Sequence, residues 1–185
     1  MPKQIIRDAE NRMERAVEAT AKDFSSIRTG RASPSLLDNI QIDYYGTKSS
    51  IKQVATITTP EPQLLVIQPW DKTIIKEIEK AITRSDLGMN PNSDKNVIRL
   101  TIPQLTEERR KSLVKHVRKL AEDGRIAIRN IRRDANDAIK KLEKSGEVSE
   151  DDSRMHQDNI QEITDMYIGE IDELLKAKEE ELMEV

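Results

Sequence analysis

Apolar residues recur every three or four positions along both ends of the chain, and this spacing predicts three long amphipathic helices. The first begins near Pro2 and stops at Thr29-Gly30, the second runs from Thr106 to Ser145-Gly146, and the third begins at Ser149. Their predicted inner lines are Ile6, Ala9, Met13, Ala16, Thr20, Phe24 and Ile27; then Leu113, Val117, Leu120, Gly124, Ile128, Ile131, Ala135, Ala138 and Leu142; then Ile160, Ile163, Tyr167, Ile171 and Leu174.

The ends of these helices predict how they pack. Thr106 can accept a hydrogen bond from free backbone N–H groups at a helix start, and Gly146 suits the residue that follows a helix. Only about four residues separate the second helix from the third, so these two should be antiparallel neighbours. The first helix also has one apolar stripe to bury. The sequence therefore predicts a long antiparallel three-helix bundle formed by residues 1–29 and 105–185.

The middle of the chain follows another pattern. Six of the seven prolines lie between Pro34 and Pro103, and proline is excluded from helix interiors. Residues 40–44 and 97–102 alternate like strands, residues 64–67 form an apolar run that suits a buried strand, and residues 71–84 have helical spacing. We therefore predict an α+β protein of two domains, in which a small, β-rich α/β domain of residues 31–103 is inserted into the bundle.

Two chain crossings join the predicted domains, near residues 29–34 and 101–105. Glycine and proline in two short crossings can form a hinge with few directions of bending, and a rigid elbow is the alternative that these residues leave open. The candidate hinge residues are Thr29, Gly30, Arg31, Pro34, Ile102, Pro103 and Gln104.

Charge is distributed unevenly behind a net charge of −3. Residues 106–144 contain 13 basic and 7 acidic side chains, whereas residues 149–185 contain 3 basic and 13 acidic ones. At about 100° per residue the basic helix carries arginines along a predicted solvent-facing stripe. These are Arg118, Arg125, Arg129 and Arg132, with Arg133 about 60° from the first of them.

The arginine stripe predicts binding of phosphate groups, because guanidinium presents a planar fork of donors and stays charged. An ordinary solvated face, paired with the acidic third helix, is the alternative. The chain has five aromatic residues and none lies on the second helix, so no platform for stacking single-stranded bases is expected there. Recognition of a folded RNA through its backbone is the form of binding that remains.

Several other chemistries are not indicated by the sequence. Cysteine is absent, and the two histidines, His116 and His156, lie on different helices, so we expect no metal site. The loop at residues 87–92 lacks a phosphate-loop lysine, and no nucleophile and base are suggestively spaced. We therefore expect no enzymatic activity and no cofactor. An adaptor that holds a basic partner on its acidic helix is the rival class.

The chain carries no sign of membrane insertion or export. No apolar run approaches the roughly 20 residues of a membrane span, and the start of the chain lacks the pattern of a signal peptide. We expect a cytoplasmic monomer. Gly124 lies on the inner line of the second helix, where it either permits close packing or is a tolerated defect, and the second interpretation is the simpler one.

Five motifs resemble the sequence of ribosome recycling factors, and the resemblance extends over nearly the whole chain. They are Ser26-Ile27-Arg28-Thr29-Gly30-Arg31-Ala32-Ser33-Pro34-Ser35-Leu36-Leu37, Tyr44-Tyr45-Gly46-Thr47, Ser85-Asp86-Leu87-Gly88-Met89-Asn90-Pro91-Asn92, Leu105-Thr106-Glu107-Glu108-Arg109-Arg110-Lys111 and Arg129-Asn130-Ile131-Arg132-Arg133-Asp134-Ala135-Asn136. Gly124 departs from the alanine expected in that family, which bears on the local stiffness of the helix.

The resemblance implies an L-shaped molecule, with a three-helix bundle and a smaller α/β domain. It implies binding to the large ribosomal subunit after termination and splitting of the ribosome together with elongation factor G, which hydrolyses GTP. The small domain would meet that factor and swing about the hinge. The RNA-contacting arginines of the family would correspond to Arg31, Arg110, Arg129, Arg132 and Arg133.

Overall fold

The computed structural model describes residues 1–85 and 89–184, and the chain forms two compact units. One unit comprises Met1–Arg28 with Thr106–Val185, and the other comprises Thr29–Leu105. In chain order the elements are α1 (Pro2–Ser25), β1 (Gln41–Tyr44), β2 (Thr47–Ser50), α2 (Ile51–Val54), β3 (Ala55–Glu61), β4 (Leu64–Pro69), α3 (Ile75–Arg84), β5 (Asn92–Ser93), β6 (Ile98–Thr101), α4 (Glu107–Lys144) and α5 (Glu150–Met183). Asp86, Leu87 and Gly88 of the predicted loop lie outside the described residues.

The first unit is a bundle in which α1, α4 and α5 all pack against one another. Two ion pairs, Arg118 with Glu179 and Arg125 with Asp172, show that α4 and α5 run in opposite directions. The ion pair of Arg12 with Asp134, together with the approach of Thr20 to the position of Gly124, shows the same for α1 and α4. The predicted antiparallel three-helix bundle is confirmed.

The ends of α4 and the start of α5 follow from local hydrogen bonds. Thr106 Oγ1 accepts from the N–H of Arg109 at 3.0 Å, and Ser149 Oγ accepts from the N–H of Asp152 at 3.1 Å, as expected of helix caps. After α4 the chain turns at Gly146, whose φ is +81°, and the N–H of Glu147 bonds the carbonyl of Leu142 at 3.0 Å. This is the glycine-terminated helix end that the sequence predicts.

The predicted end of α1 is wrong by four residues, because the helix stops at Ser25 rather than at Thr29-Gly30. Ser25 Oγ donates to the carbonyl of Lys22, and Ser26 Oγ donates to the carbonyl of Asp23, each at 2.7 Å. Two serine hydroxyls therefore satisfy carbonyls of the last turn, which ends the helix without help from glycine.

The predicted inner lines of the three helices need several corrections. Leu120, Ala138 and Leu142 on α4, Ile6, Ala16 and Ile27 near α1, and Ile163 and Leu174 on α5 are only half-buried. Ala121 and Ile139 on α4, and Thr164 and Leu182 on α5, are buried instead. Thr164 is polar and therefore escaped a search for apolar residues, yet its hydroxyl donates to the carbonyl of Ile160 at 2.7 Å and can be buried without cost.

The second unit contains a four-stranded antiparallel sheet of order β3-β4-β6-β5 and a separate hairpin, β1-β2. The core that these elements share with the helices α2 and α3 is made mainly of isoleucine and leucine, with Leu65, Ile67, Ile78, Ile98 and Leu100 fully buried. The predicted strands and the predicted helix are present. The strands β2, β3 and β5 and the short helix α2 were not predicted.

The β1-β2 turn presents an aromatic ring to solvent. Tyr45 has a φ of +49° and Gly46 a φ of +81°, a pair of positive angles that suits a two-residue hairpin turn. Tyr45 is 81% exposed, and its hydroxyl donates to Asp71 Oδ2 at 3.1 Å. Trp70 is 69% exposed, and its Nε1 donates to Thr56 Oγ1 at 3.1 Å. Both rings are held at the surface by their polar atoms.

Replacing Asp71 with asparagine should lower the pKa of Tyr45. The hydrogen bond to Asp71 and the charge of that carboxylate raise the pKa of the phenol above 10.0 in the wild-type chain. Because the pKa of the folded state exceeds that of the unfolded chain, this contact stabilises the hairpin below pH about 10 and is lost as the pH rises through the folded-state pKa. A titration of the ring by NMR checks the shift, with Asp43→Asn as the control. A Tyr45 pKa unchanged by Asp71→Asn would contradict the assignment.

Candidate nucleic-acid interface

The basic side of α4 is divided between the seam with α5 and open solvent. Three of the predicted arginines, spaced seven residues apart, reach side chains of α5: Arg118 contacts Glu179, Arg125 contacts Asp172, and Arg132 contacts Gln161. A spacing of seven keeps these residues on one side of the helix, within about 20° per step. The stripe predicted to face solvent therefore borders α5 along one edge.

Arg125 serves the packing of α4 against α5. Its side chain is only 19% exposed, its Nε and Nη2 bond Asp172 at 2.8 and 2.6 Å, and its Nη1 bonds Glu122 at 3.1 Å. Burial lowers the pKa of Arg125, but the two carboxylates outweigh burial and raise it. Asp172 engages Nε and Nη2, so only the Nη1 that bonds Glu122 can be offered to a ligand.

Arg118 is also ion-paired but far more accessible. It is 64% exposed, and its Nε bonds Glu179 at 2.6 Å. That hydrogen bond and the charge of Glu179 raise the pKa of Arg118. Arg118 and Arg125 therefore form ion pairs with acidic residues of α5, as the alternative interpretation of the stripe expects.

Arg129, Arg132 and Arg133 form the part of the stripe that has no ion pair with α5 among the described residues. Arg129 Nη1 bonds Glu122 at 2.9 Å, and Arg132 Nη1 makes one long bond of 3.3 Å to Gln161. Arg133 is exposed and has no ion pair within the described part of the chain. These three guanidiniums, close together in sequence and on the outer side of α4, can engage phosphate groups without disrupting the bundle.

The remaining two candidates belong to other elements or to another turn of the chain. Arg110 is half-buried in the first turn of α4, and its Nε is buried without a hydrogen-bond partner among residues 1–85 and 89–184. Arg31 belongs to the second unit, where it lines a shallow pocket with Thr59, Pro60 and Pro62. The structure thus does not place all the predicted RNA-binding residues on one surface of one unit.

Gly124 lies where three helices pack closely behind the arginines, which corrects the interpretation of this residue as a tolerated defect. A Cβ atom at Gly124 would lie 2.5 Å from Thr20 Oγ1 on α1 and 3.0 Å from Ile171 Cδ1 on α5. Thr20 cannot move away easily, because it is buried and its hydroxyl donates to the carbonyl of Ala16 at 2.9 Å. The glycine allows the helices to approach closely.

Two features of α4 were missed at the level of sequence. Glu122 accepts from both Arg125 and Arg129, and its spacing of three and seven residues from them could have indicated this. The exposed lysine Lys119 also adds charge to the outer side. No group of three or more histidine, cysteine or acidic residues in the described ranges is arranged to hold a metal ion, and none of the described helices is long and apolar enough to cross a membrane.

The fold and this surface define a mainly helical factor of two units with a basic face on its longest helix. The sequence model of one family, described as "Ribosome recycling factor", matches residues 20–183. Ribosome-recycling factors of Syntrophomonas wolfei, Halothermothrix orenii and Brevibacillus brevis are 58%, 56% and 55% identical over 185 residues, covering all of both chains. The chain belongs to the ribosome recycling factor family, as its motifs indicated.

Solved structures agree with this assignment. A solution structure of the ribosome recycling factor is 44% identical, has a TM-score of 0.81, and covers 100% of this chain and 98% of its own. A second, described as the Thermus thermophilus factor with Escherichia coli elongation factor G bound to the E. coli post-termination complex, is 44% identical with a TM-score of 0.67 and full coverage of both chains. The family links the chain to ribosome recycling, a step of protein biosynthesis.

Proposed function

We propose that this chain binds the large subunit of the ribosome after termination and, with elongation factor G and GTP, promotes splitting of the subunits and release of mRNA and tRNA. The observation that carries this proposal is the accessible cluster of Arg129, Arg132 and Arg133 on α4 of a chain that belongs to this family. The chain acts in the cytoplasm, as a monomer and without catalysis of its own, and elongation factor G supplies the energy.

The bundle is the part that docks. Its α4 face offers arginines to the backbone of ribosomal RNA, while Arg125 holds α4 against α5 and keeps that face straight. Neutralising several phosphates releases counterions, so affinity should fall steeply with salt. Arg110 and Arg31 provide phosphate contacts in addition to those of the main cluster, and Arg118 contributes only where phosphate displaces Glu179.

The test of binding is sedimentation of the purified chain with isolated large and small ribosomal subunits at low and high salt. We expect co-sedimentation with large subunits that is lost as salt rises, and then subunit splitting when elongation factor G and GTP are added. A well-folded protein that does not co-sediment with large subunits at low salt would contradict the proposal and favour an adaptor with a basic protein partner.

The small unit moves about the two crossings, and hydrogen bonds within that unit limit where the crossings can bend. The N–H of Ala32 bonds the carbonyl of Pro62 at 2.7 Å, and the N–H of Ile102 bonds the carbonyl of Gln63 at 2.8 Å. Ile102 is buried in the core of the small unit, and Pro34 begins a short 3-10 helix of that unit. Bending is therefore confined to residues 29–31 and 103–105, which include Thr29, Gly30, Arg31, Pro103 and Gln104.

A disulfide between the two crossings should block splitting while sparing binding. A Cβ at Gly30 would lie 3.2 Å from Leu105 Cγ, so cysteines at these two positions are close enough to bond, and the natural chain has no cysteine to interfere. The φ of +79° at Gly30 strains any cysteine placed there, and the single variant with cysteine at this position measures that strain. We expect the oxidised double variant to bind large subunits normally but to split ribosomes about tenfold or more slowly, with recovery on reduction. Each single-cysteine variant, oxidised in the same way, is the control. Full splitting by the oxidised protein would rule out a working hinge here.

A further inference from the structure

Arg125 and Arg129 of α4 form an anion-binding seat, and the carboxylate of Glu122 already occupies it. Glu122 Oε1 accepts from Arg129 Nη1 at 2.9 Å, and Glu122 Oε2 accepts from Arg125 Nη1 at 3.1 Å. Each carboxylate oxygen thus takes one guanidinium, as two oxygens of a phosphate group would do. The seat lies on the helix face that the proposed function assigns to RNA.

One side of the seat is rigid and the other is adjustable. Arg125 is 19% exposed, and Asp172 holds its Nε and Nη2, so the Nη1 that bonds Glu122 stays in a fixed position. Arg129 is 42% exposed and bonds only Glu122 among the residues that the structure describes. Glu122 itself is 48% exposed, so its side chain can turn away into solvent. The anion can be exchanged without moving the backbone of α4.

The carboxylate in the seat is ionised throughout the neutral pH range. Hydrogen bonds from Arg129 and then from Arg125 lower the pKa of Glu122 below its ordinary value of 4.5. Any phosphate that approaches Arg129 therefore meets a negative charge that must leave, and the ion pair that it replaces is a partly exposed one of modest strength.

We propose that Glu122 is a built-in competitor of RNA: its carboxylate fills the seat of Arg125 and Arg129 in the free protein, and one backbone phosphate displaces it on binding. This inference rests on the proposed binding of ribosomal RNA by α4. Free anions and isolated phosphates must compete with a tethered carboxylate for Arg129. An RNA surface that engages Arg132 and Arg133 at the same time holds a phosphate at the seat in high local concentration and wins that competition. Glu122 therefore lowers the affinity of α4 for phosphate, and it favours an RNA surface that contacts several arginines at once.

The test compares Glu122→Gln with Asp123→Asn, using co-sedimentation with isolated large subunits. Both changes remove one negative charge from neighbouring positions of the same helix, but Asp123 is exposed and has no ion pair in the described part of the chain. We expect Glu122→Gln to bind about three to ten times more tightly than the wild type, with little gain for Asp123→Asn. The dependence of log affinity on log salt should also steepen by up to about one unit for Glu122→Gln, because the displaced Glu122 carboxylate of the wild type takes up a cation and offsets one that the phosphate releases.

A second comparison asks whether Glu122 acts through Arg129. In an Arg129→Ala background the change Glu122→Gln should bring no more gain than Asp123→Asn. Equal gains for Glu122→Gln and Asp123→Asn, an unchanged or weaker affinity of Glu122→Gln, or a full gain without Arg129 would each overturn the seat. If the wild-type chain itself does not bind large subunits, the proposed function fails and the seat with it. If the wild type binds and only the Glu122 comparison fails, the RNA interface is retained and the seat is rejected.

Discussion

Replacing Arg129 and Arg132 together with alanine is expected to weaken binding of the large ribosomal subunit about 100-fold. A hydrogen bond to a charged group contributes about 1.5 kcal/mol or more, so two lost phosphate contacts amount to about 3 kcal/mol. The stability of the bundle should hardly change, because Arg129 bonds only Glu122 and Arg132 makes one bond of 3.3 Å to Gln161 among the described residues. Thermal unfolding followed by circular dichroism should therefore be nearly unchanged.

A control for this experiment is the double change Arg7→Ala and Arg15→Ala. Both residues are exposed on α1 and have no ion pair in the part of the chain that the structure describes, so the variant loses the same charge from another face. If binding were a general attraction of positive charge, both double variants would weaken it equally. Equal losses, or no loss with Arg129 and Arg132 removed, would refute the α4 interface, whereas a loss confined to the α4 variant supports it.

Replacing Gly124 with valine is expected to destabilise the bundle by about 3 kcal/mol. The new side chain would enter the space of Thr20 Oγ1 and Ile171 Cδ1, and overpacking of a filled core costs about 1–3 kcal/mol or more. Better helix propensity offsets only about half a kcal/mol of this. Gly169 on α5 provides the control, because a Cβ there meets nothing within 4 Å. Gly169→Val should be neutral or slightly stabilising in the same denaturant titration.

A double-mutant cycle locates the conflict at Gly124. Thr20 Oγ1 is the closest atom to the added Cβ, so removing it with Thr20→Ala should relieve part of the cost of Gly124→Ala. We expect the two changes to couple favourably by about 1–2 kcal/mol. Strict additivity, or the same stability for Gly124→Val and Gly169→Val, would mean that the helices separate freely and that the close approach is not needed.

The three long helices could be predicted because each carries its own signals. The caps Thr106 and Ser149 and the glycine stop at Gly146 act within four residues of themselves, and the apolar period needs only one helix. The stop of α1 was misplaced because two serines end that helix through hydroxyl bonds to carbonyls, a signal weaker than glycine. Local rules therefore succeed where the decisive contact is local.

The small unit was less predictable because its strands depend on partners. The strand β3 contains threonines and Pro60, with most of its residues exposed, and shows neither a clear alternation nor an apolar run. It lies at the edge of the sheet, where a proline is tolerated and one side of the strand needs no hydrogen bonds. Its pairing with β4 is what defines it, and that pairing is not visible in residues 55–61 alone.

The arginine residues of the site could be predicted from sequence, but their partners could not. Angles along one helix place the arginines relative to its apolar line, yet they do not reveal on which flank the next helix lies. Asp172 and Glu179 are 47 and 61 residues from the arginines they bond. The same limit applies to Gly124, whose importance depends on Thr20 and Ile171, two residues far away in the chain.

Trp70 gives this protein an intrinsic fluorescent probe that reports on the small unit. It is the only tryptophan of the chain, it lies in the small unit, and it is mostly exposed in the folded state. Its emission in the folded protein should already resemble that of free indole in water, so fluorescence will follow unfolding of the bundle poorly. The same property makes it sensitive to covering: a blue shift of the emission would report, without any label, that another molecule has closed over the small unit.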